Sequence, residues 1–311
     1  MKVQKKKRKL LWNREDKIMN IDQVILGDNQ FFGVNHMSQD KGRQTYEQFK
    51  DLNEIKRILK YGLSKGVKGV MFSTHPSIYK ICDMIREDDE LRENLNIYVN
   101  VPYIIKYVSM VTEMGMYNTI KTMLKGKNGK GKAKFLLETG ADVVTLNHIG
   151  IMERLIDVEL TPFYGLNVKA VFLHNALCDL ALGYDMKDVI KAFDGYIRNR
   201  YHAIPAYGTL NFSAFSRFLD ECGLEESLIM TAVNKKGFLM NPSRDEVVKD
   251  IEKSNHTVLA MATLASGRVL PEEAYSYIST TSVKNVVVGL SSEKHADETF
   301  EIIKKYILEE K

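Results

Sequence analysis

Disulfide chemistry has little to work with in this chain. Its three cysteines, Cys82, Cys178 and Cys222, stand far apart among 311 residues and form no C-x-x-C pair. That excludes a disulfide framework and makes a reducing cytoplasm the expected compartment. Proline is scarce at six and glycine stands at 20, too few for a linker-rich or low-complexity protein. No apolar run reaches the roughly 18 residues of a membrane span, and the apolar core of a secretory signal is missing, so no membrane partner is expected. Neither sign of charge dominates: 44 Lys plus Arg against 40 Asp plus Glu leave +4. The surplus sits in Lys5-Lys6-Lys7-Arg8-Lys9 and in a Gly-rich stretch holding Lys125, Lys127, Lys130, Lys132 and Lys134. Neither is interleaved with aromatic residues as a groove for bases would be. Both read as solvated tail and loop, and no nucleic-acid partner is expected.

What the chain does contain is a repeated alternation. Apolar residues make up 44% of it and charged residues 27%, the balance of a folded globular protein. Short β-branched runs recur at Val24–Leu26, Val70–Phe72, Ile97–Val101, Val143–Leu146, Ala170–Leu173, Ala203–Tyr207, Leu228–Val233, Val258–Ala262 and Val286–Val288. Continuous apolar strands of this length suit a parallel sheet buried on both faces. Between them lie helical patterns: Ile55, Ile58, Leu59 and Leu63 share one face of 53–65, Ser243 is placed to cap a helix, and Pro271 to open another. Strand-then-helix order at this length predicts a single-domain α/β (β/α)8 TIM barrel over 21–311, preceded by a basic tail over 1–20. A helical, Gly/Lys-rich insertion is expected near 104–135. Nine strand candidates exceed the eight a barrel needs, and the one interrupted by Pro205 is the least regular.

Catalytic groups of such barrels stand at the carboxyl ends of the strands, and here those ends are polar. Asp28, Asn29 and Gln30 follow the first run, Ser73, Thr74 and His75 the second, Asn100 and Tyr103 the third. His148, His174, Asn211 and Lys235 follow later runs, and His36 lies in the first loop. This convergence points to a site for a small-molecule substrate. Two chemistries are open to the histidines. His75, His148 and His174 with Asp28 would suit a divalent metal, although no H-x-H or H-E-x-x-H spacing marks one. Alternatively a histidine donates a hydrogen bond or a proton to a carbonyl. Lys235 would permit a Schiff base, and Cys178 reads as a buried thiol.

The last third adds a phosphate-binding pattern. Gly289-Leu290-Ser291-Ser292 joins a strand to a helix, where exposed backbone N–H groups favour an anion or are simply capped by serine. Leu259-Ala260-Met261-Ala262-Thr263-Leu264-Ala265-Ser266-Gly267 is similar to an "aysPLxxG" segment. Leu26-Gly27-Asp28-Asn29-Gln30-Phe31-Phe32-Gly33 is similar to a first-strand signature, Tyr207-Gly208-Thr209-Leu210-Asn211-Phe212 to "GxSNF", and Phe172-Leu173-His174 to "llH". On these residues the chain resembles the aldo/keto reductase superfamily over about half its length. The resemblance implies NADP or NAD held by Ser266, Gly267, Arg268, Gly289, Ser291, Ser292 and Asn211. It also implies Tyr79 as proton donor and His174 orienting the carbonyl, with His75 and His148 as further catalytic candidates.

The departures are as specific as the matches. Phe72-Ser73-Thr74-His75-Pro76-Ser77-Ile78-Tyr79 stands where the family has "fDTAxxYG", so Ser73 replaces the aspartate and Tyr79 falls one residue late. Val101-Pro102-Tyr103 ends the third strand without the family's lysine. Lacking that Asp–Lys pair, a tyrosine is not acidified in the usual way. Three readings therefore stand: a reductase-like oxidoreductase, a metal- or His-dependent lyase, isomerase or hydrolase, and a nucleotide-binding barrel without catalysis.

Overall fold

Eight of the nine β-branched runs form strands, and helices cover their outer faces. The computed structural model describes residues 20–34, 39–103, 148–290 and 292–308. Its strands are β1 (Val24–Gly27), β2 (Gly69–Ser73), β3 (Asn96–Val101), β4 (Val168–Leu173), β5 (Ile204–Gly208), β6 (Leu228–Ala232), β7 (Thr257–Met261) and β8 (Asn285–Gly289). All pair in parallel in chain order, and β8 closes on β1 with Val24 beside Val286 and Gly27 beside Gly289. The molecule is a (β/α)8 barrel. Closure is complete with these eight, so the expected strand at Val143–Leu146 is not needed for it. That run lies outside the described residues, as do residues 1–19 of the basic tail, His36 and the expected insertion. Pro205 does not exclude its strand: it sits in register with Val171 of β4, and Ala206 with Leu228 of β6.

Local signals set the helix ends. Ser243 accepts the Glu246 N–H and starts the helix Arg244–Lys253, while Pro271 occupies the first turn of Pro271–Ile278. Asp51 caps the helix Leu52–Ser64, whose Ile55, Ile58 and Leu59 are buried. No helix among the described residues is long and apolar enough to cross a membrane.

Strand parity then sorts the side chains. Ile25, Met71, Tyr98, Phe172, Ala206, Met230 and Leu259 fill the barrel, whereas Leu26, Phe72, Val99, Val171 and Ala260 pack against the helices. The same alternation turns Ser73 and Asn100, two residues beyond Met71 and Tyr98, toward the inside at the carboxyl end. At the opposite end a polar plug closes the floor. The Tyr98 hydroxyl donates to Asp22 Oδ2 at 2.6 Å and accepts the Asp22 N–H at 2.9 Å, and Asp22 also accepts from Asn96 and Lys169. A hydrogen bond to a charged acceptor contributes about 1.5–3 kcal/mol. Tyr98→Phe should therefore lower the unfolding free energy by about that amount in urea titrations with an unchanged slope. A loss under about 0.5 kcal/mol would show that the plug is dispensable.

Candidate active site

The ends of β1, β2 and β3 bring one polar group together at the mouth. Asp28, immediately after β1, is 7% exposed. Its Oδ2 accepts both the backbone N–H of Ser73 at 2.6 Å and the Ser73 hydroxyl at 2.7 Å. Burial raises the Asp28 carboxyl above its ordinary value, and the two Ser73 hydrogen bonds only partly oppose this. Two residues beyond Ser73, the His75 ring stacks on Phe32 at 4.2 Å and meets the Tyr103 ring edge-on at 5.1 Å. Tyr103 is anchored through its N–H to Thr74 Oγ1 at 3.0 Å, and Thr74 donates to the buried Glu159. Burial and then the nearby Asp28 charge push the Tyr103 phenol up. Between Ser73 and Phe172 in register, the inward-facing Asn100 has a buried Oδ1 without a partner among the described residues.

His174 stands at the end of β4, beside Gly208 of β5. A side chain at Gly208 would lie 3.1 Å from the Asn175 nitrogen, so glycine lets these strand ends approach. His174 Nδ1 accepts the Ala176 N–H at 3.2 Å, and His75 Nδ1 accepts the Ser77 N–H at 3.1 Å. An imidazole whose Nδ1 accepts must carry its proton on Nε2 when neutral. Burial lowers both pKa values, with Asp179 opposing weakly at His174. Both rings thus present Nε2–H donors at neutral pH.

Other expected residues lie elsewhere. His148 opens the helix His148–Leu160, is exposed, and bonds Asp188 through Nε2 at 2.9 Å. Among the described residues no group of three His, Cys, Asp or Glu, and so not His75, His148 and His174, could hold a metal ion. The expected metal cluster is corrected on that ground. Lys235 pairs with Glu273 at 2.8 Å and stays exposed, unlike a desolvated Schiff-base lysine. Cys178 is buried, donates to the Leu173 carbonyl at 3.3 Å, and has its thiol pKa raised by burial. Tyr79 lies on the helix Ile78–Glu87, 49% exposed, and burial followed by the Glu159 charge raises its pKa. Asn211 caps the helix Phe212–Glu221 by accepting the Ala214 N–H.

Across the mouth, β7 leads into a left-handed turn in which Ala262, Ala265, Ser266 and Gly267 all have positive φ. Non-glycine residues held there are strained by about 1–3 kcal/mol each. Arg268 leaves this turn exposed, its guanidinium over the Phe238 ring at 4.8 Å, and makes no ion pair among the described residues. Gly289 ends β8 exposed, and Ser292 precedes the helix Glu293–Ile303. Ser291 lies outside the described residues. Glu293 bonds Arg57 at 2.7 Å.

No family model and no curated protein matches the sequence. Solved structures match its shape. A Pseudomonas aeruginosa protein described as an aldo-keto reductase superposes with a TM-score of 0.60, covering 96% of this chain and 95% of its own, at 12% identity. An aldo-keto reductase from a Medee basin deep-sea metagenome library gives 0.54 over 91% and 86% at 11% identity, and one from Bacillus halodurans gives 0.54 over 91% and 86% at 10%. The fold is that of the aldo-keto reductases.

Within the aldo-keto reductase fold, the expected departures take a definite geometry. Ser73 ends β2 where the resemblance places an aspartate, and a carboxyl returns to that place from β1, because Asp28 reaches across to bond Ser73. On β3 the inward residue at the mouth is Asn100, not a lysine. Sequence reading found Asp28 as a strand-end carboxylate but missed its bond to Ser73 and the contact of Tyr103 with His75. Both join residues distant in the chain, and no spacing rule reports them.

The histidines have a measurable consequence. Their folded pKa values lie below the ordinary 6.5, so the unfolded chain binds more protons as pH falls through that value. Their contribution to stability is complete above 6.5 and declines below it, levelling once the folded values are passed. Long-range 1H–15N spectra should show both rings as neutral Nε2–H tautomers at pH 7. A protonated ring or an Nδ1–H tautomer at either position would contradict the geometry.

Proposed function

We propose that this chain is an aldo/keto-reductase-like oxidoreductase of the cytoplasm that reduces a small carbonyl compound with NADP(H) or NAD(H). The observation that carries the reading is the pair of neutral Nε2–H donors, His75 and His174, at the carboxyl ends of β2 and β4. Oriented neutral imidazoles suit a carbonyl oxygen that gains negative charge as it is reduced. His174 is the residue that orients the carbonyl, and His75, fixed by Phe32 and Tyr103, walls the site.

The residues present also fit a dinucleotide. Arg268 offers a guanidinium without a carboxylate partner among the described residues, pre-positioned by Phe238 beside the strained Ala265–Gly267 turn, as an anionic phosphate requires. Gly289 and Ser292 lie at the start of the neighbouring helix, where negative charge is favoured. Ser266, Gly267, Arg268, Gly289 and Ser292 would hold the cofactor. Bound there, a reduced nicotinamide supplies hydride.

Thermal-shift and fluorescence titrations with NADPH and NADH test this directly. Stabilisation by at least one of them is expected, and Arg268→Glu should weaken it about tenfold or more, since a charge-assisted hydrogen bond contributes about 1.5–3 kcal/mol. His174→Gln should leave cofactor binding intact and lower kcat. No shift with either nucleotide would remove the oxidoreductase reading.

A further inference from the structure

Asp28 is the carboxyl group whose setting its structural surroundings least explain. Among the other buried carboxylates, Asp88 pairs with Lys56 and Lys60 and Asp194 with Arg198, while Glu159 accepts from Thr74. Asp28 has no cationic partner among the described residues. It stands at the N-cap position of the Asn29–Phe32 turn yet makes no side-chain cap bond there. Its bonds go sideways to Ser73, which faces the barrel mouth. A tie between the β1 and β2 loops would need only an amide oxygen, and an unpaired buried carboxyl is a costly way to provide one.

The arrangement fixes where a proton sits. Both Ser73 donors point at Oδ2, so that oxygen acts as acceptor and the neutral acid carries its hydrogen on Oδ1. Nearby are Ser73 from β2 and the titratable ring of Tyr103 after β3, whose phenol feels the Asp28 charge, with His75 beside Tyr103. None is a cation at neutral pH, so among the described residues the charged form of Asp28 is favoured by hydrogen bonds from Ser73 and from its own backbone N–H, and burial outweighs them. Tyr79, by contrast, is half exposed on a helix and has no cation to acidify it among the described residues.

We propose that Asp28 is the proton donor of this site, giving the hydrogen on Oδ1 to the carbonyl oxygen of the substrate. The inference rests on the oxidoreductase reading. As the carbonyl carbon accepts hydride from the reduced nicotinamide cofactor, the C=O π pair moves onto oxygen and takes the Asp28 proton. The product is an alcohol, the cofactor leaves oxidised, and Asp28, left as a carboxylate, regains its proton from water. Ser73 is the positioning residue: its hydroxyl favours the carboxylate and so tempers the acid.

The test uses the full chain, NADPH and 4-nitrobenzaldehyde as carbonyl probe, with carboxyl 13C titration of the same protein. Asp28→Asn keeps an oxygen for Ser73, so it should fold, bind NADPH with unchanged affinity and lose about 10²–10⁴-fold in kcat, the usual span of a general acid. The 13C resonance absent from Asp28→Asn should titrate above the ordinary 3.8. Activity requires the protonated acid, so kcat should fall on the alkaline side. Ser73→Ala, lacking a bond that favours the charged form, should move that limb to higher pH. A merely structural serine would not. Asp28→Asn with kcat within threefold of the parent, or an Asp28 resonance titrating at or below 3.8, overturns the proposal while leaving the oxidoreductase reading in place. Parent protein that binds no nicotinamide and reduces no probe overturns both.

Discussion

Closure of eight parallel strands through the β8–β1 pairing is the constraint on which everything else in this molecule depends. A closed barrel of short strands has no free edge, and its side chains must alternate between the interior and the helical layer. Once Met71 and Tyr98 fill the interior, Ser73 and Asn100 are obliged to face the mouth. Asp28, one residue past the inward position of Gly27, can reach Ser73 only because β1 and β2 are neighbours in register. The polar plug on Asp22 holds the other end, so the strands that carry the site are fixed at both ends.

Charge is separated across the mouth. The arc formed by β1, β2 and β3 carries a carboxyl, two phenols and an amide, with no arginine or lysine paired to Asp28 among the described residues. The arc beyond β7 carries Arg268, poised over Phe238 without a carboxylate partner among the described residues. Under the proposed function, an anionic cofactor and a neutral carbonyl compound would meet complementary halves of one opening. In the first half the missing cation matters chemically. With no lysine at the end of β3, neither Tyr79 nor Tyr103 is acidified, and both phenols are pushed upward. The same lack of positive charge leaves burial to raise the Asp28 carboxyl above its ordinary value.

Much of this fold is legible in the chain. Eight of nine β-branched runs become barrel strands within about two residues, because fully buried parallel strands are continuous apolar segments with little alternation to blur them. Pro205 misled only in making a true strand look irregular, since the strand keeps its register around it. Of the candidate site, the strand ends were legible as polar clusters, and the turn at Ala265–Gly267 through its resemblance to a known segment. The roles were not. His148 and His174 look alike in sequence, but one begins a helix and bonds Asp188 while the other receives a backbone N–H beside Gly208. Ser73 read as a lost aspartate. The carboxyl that meets it comes from 45 residues earlier, a contact created by the β1–β2 pairing and by nothing local.

The central claim is that this mouth carries out hydride transfer to a carbonyl carbon. It is tested most directly by incubating the protein with NADPH deuterated at both C4 positions and a panel of aldehydes and ketones, then reading the alcohols by mass spectrometry. The account predicts a single deuterium on the carbinol carbon of at least one product, formed in step with oxidised cofactor. Products lacking deuterium, or cofactor left fully reduced across the panel, would contradict it.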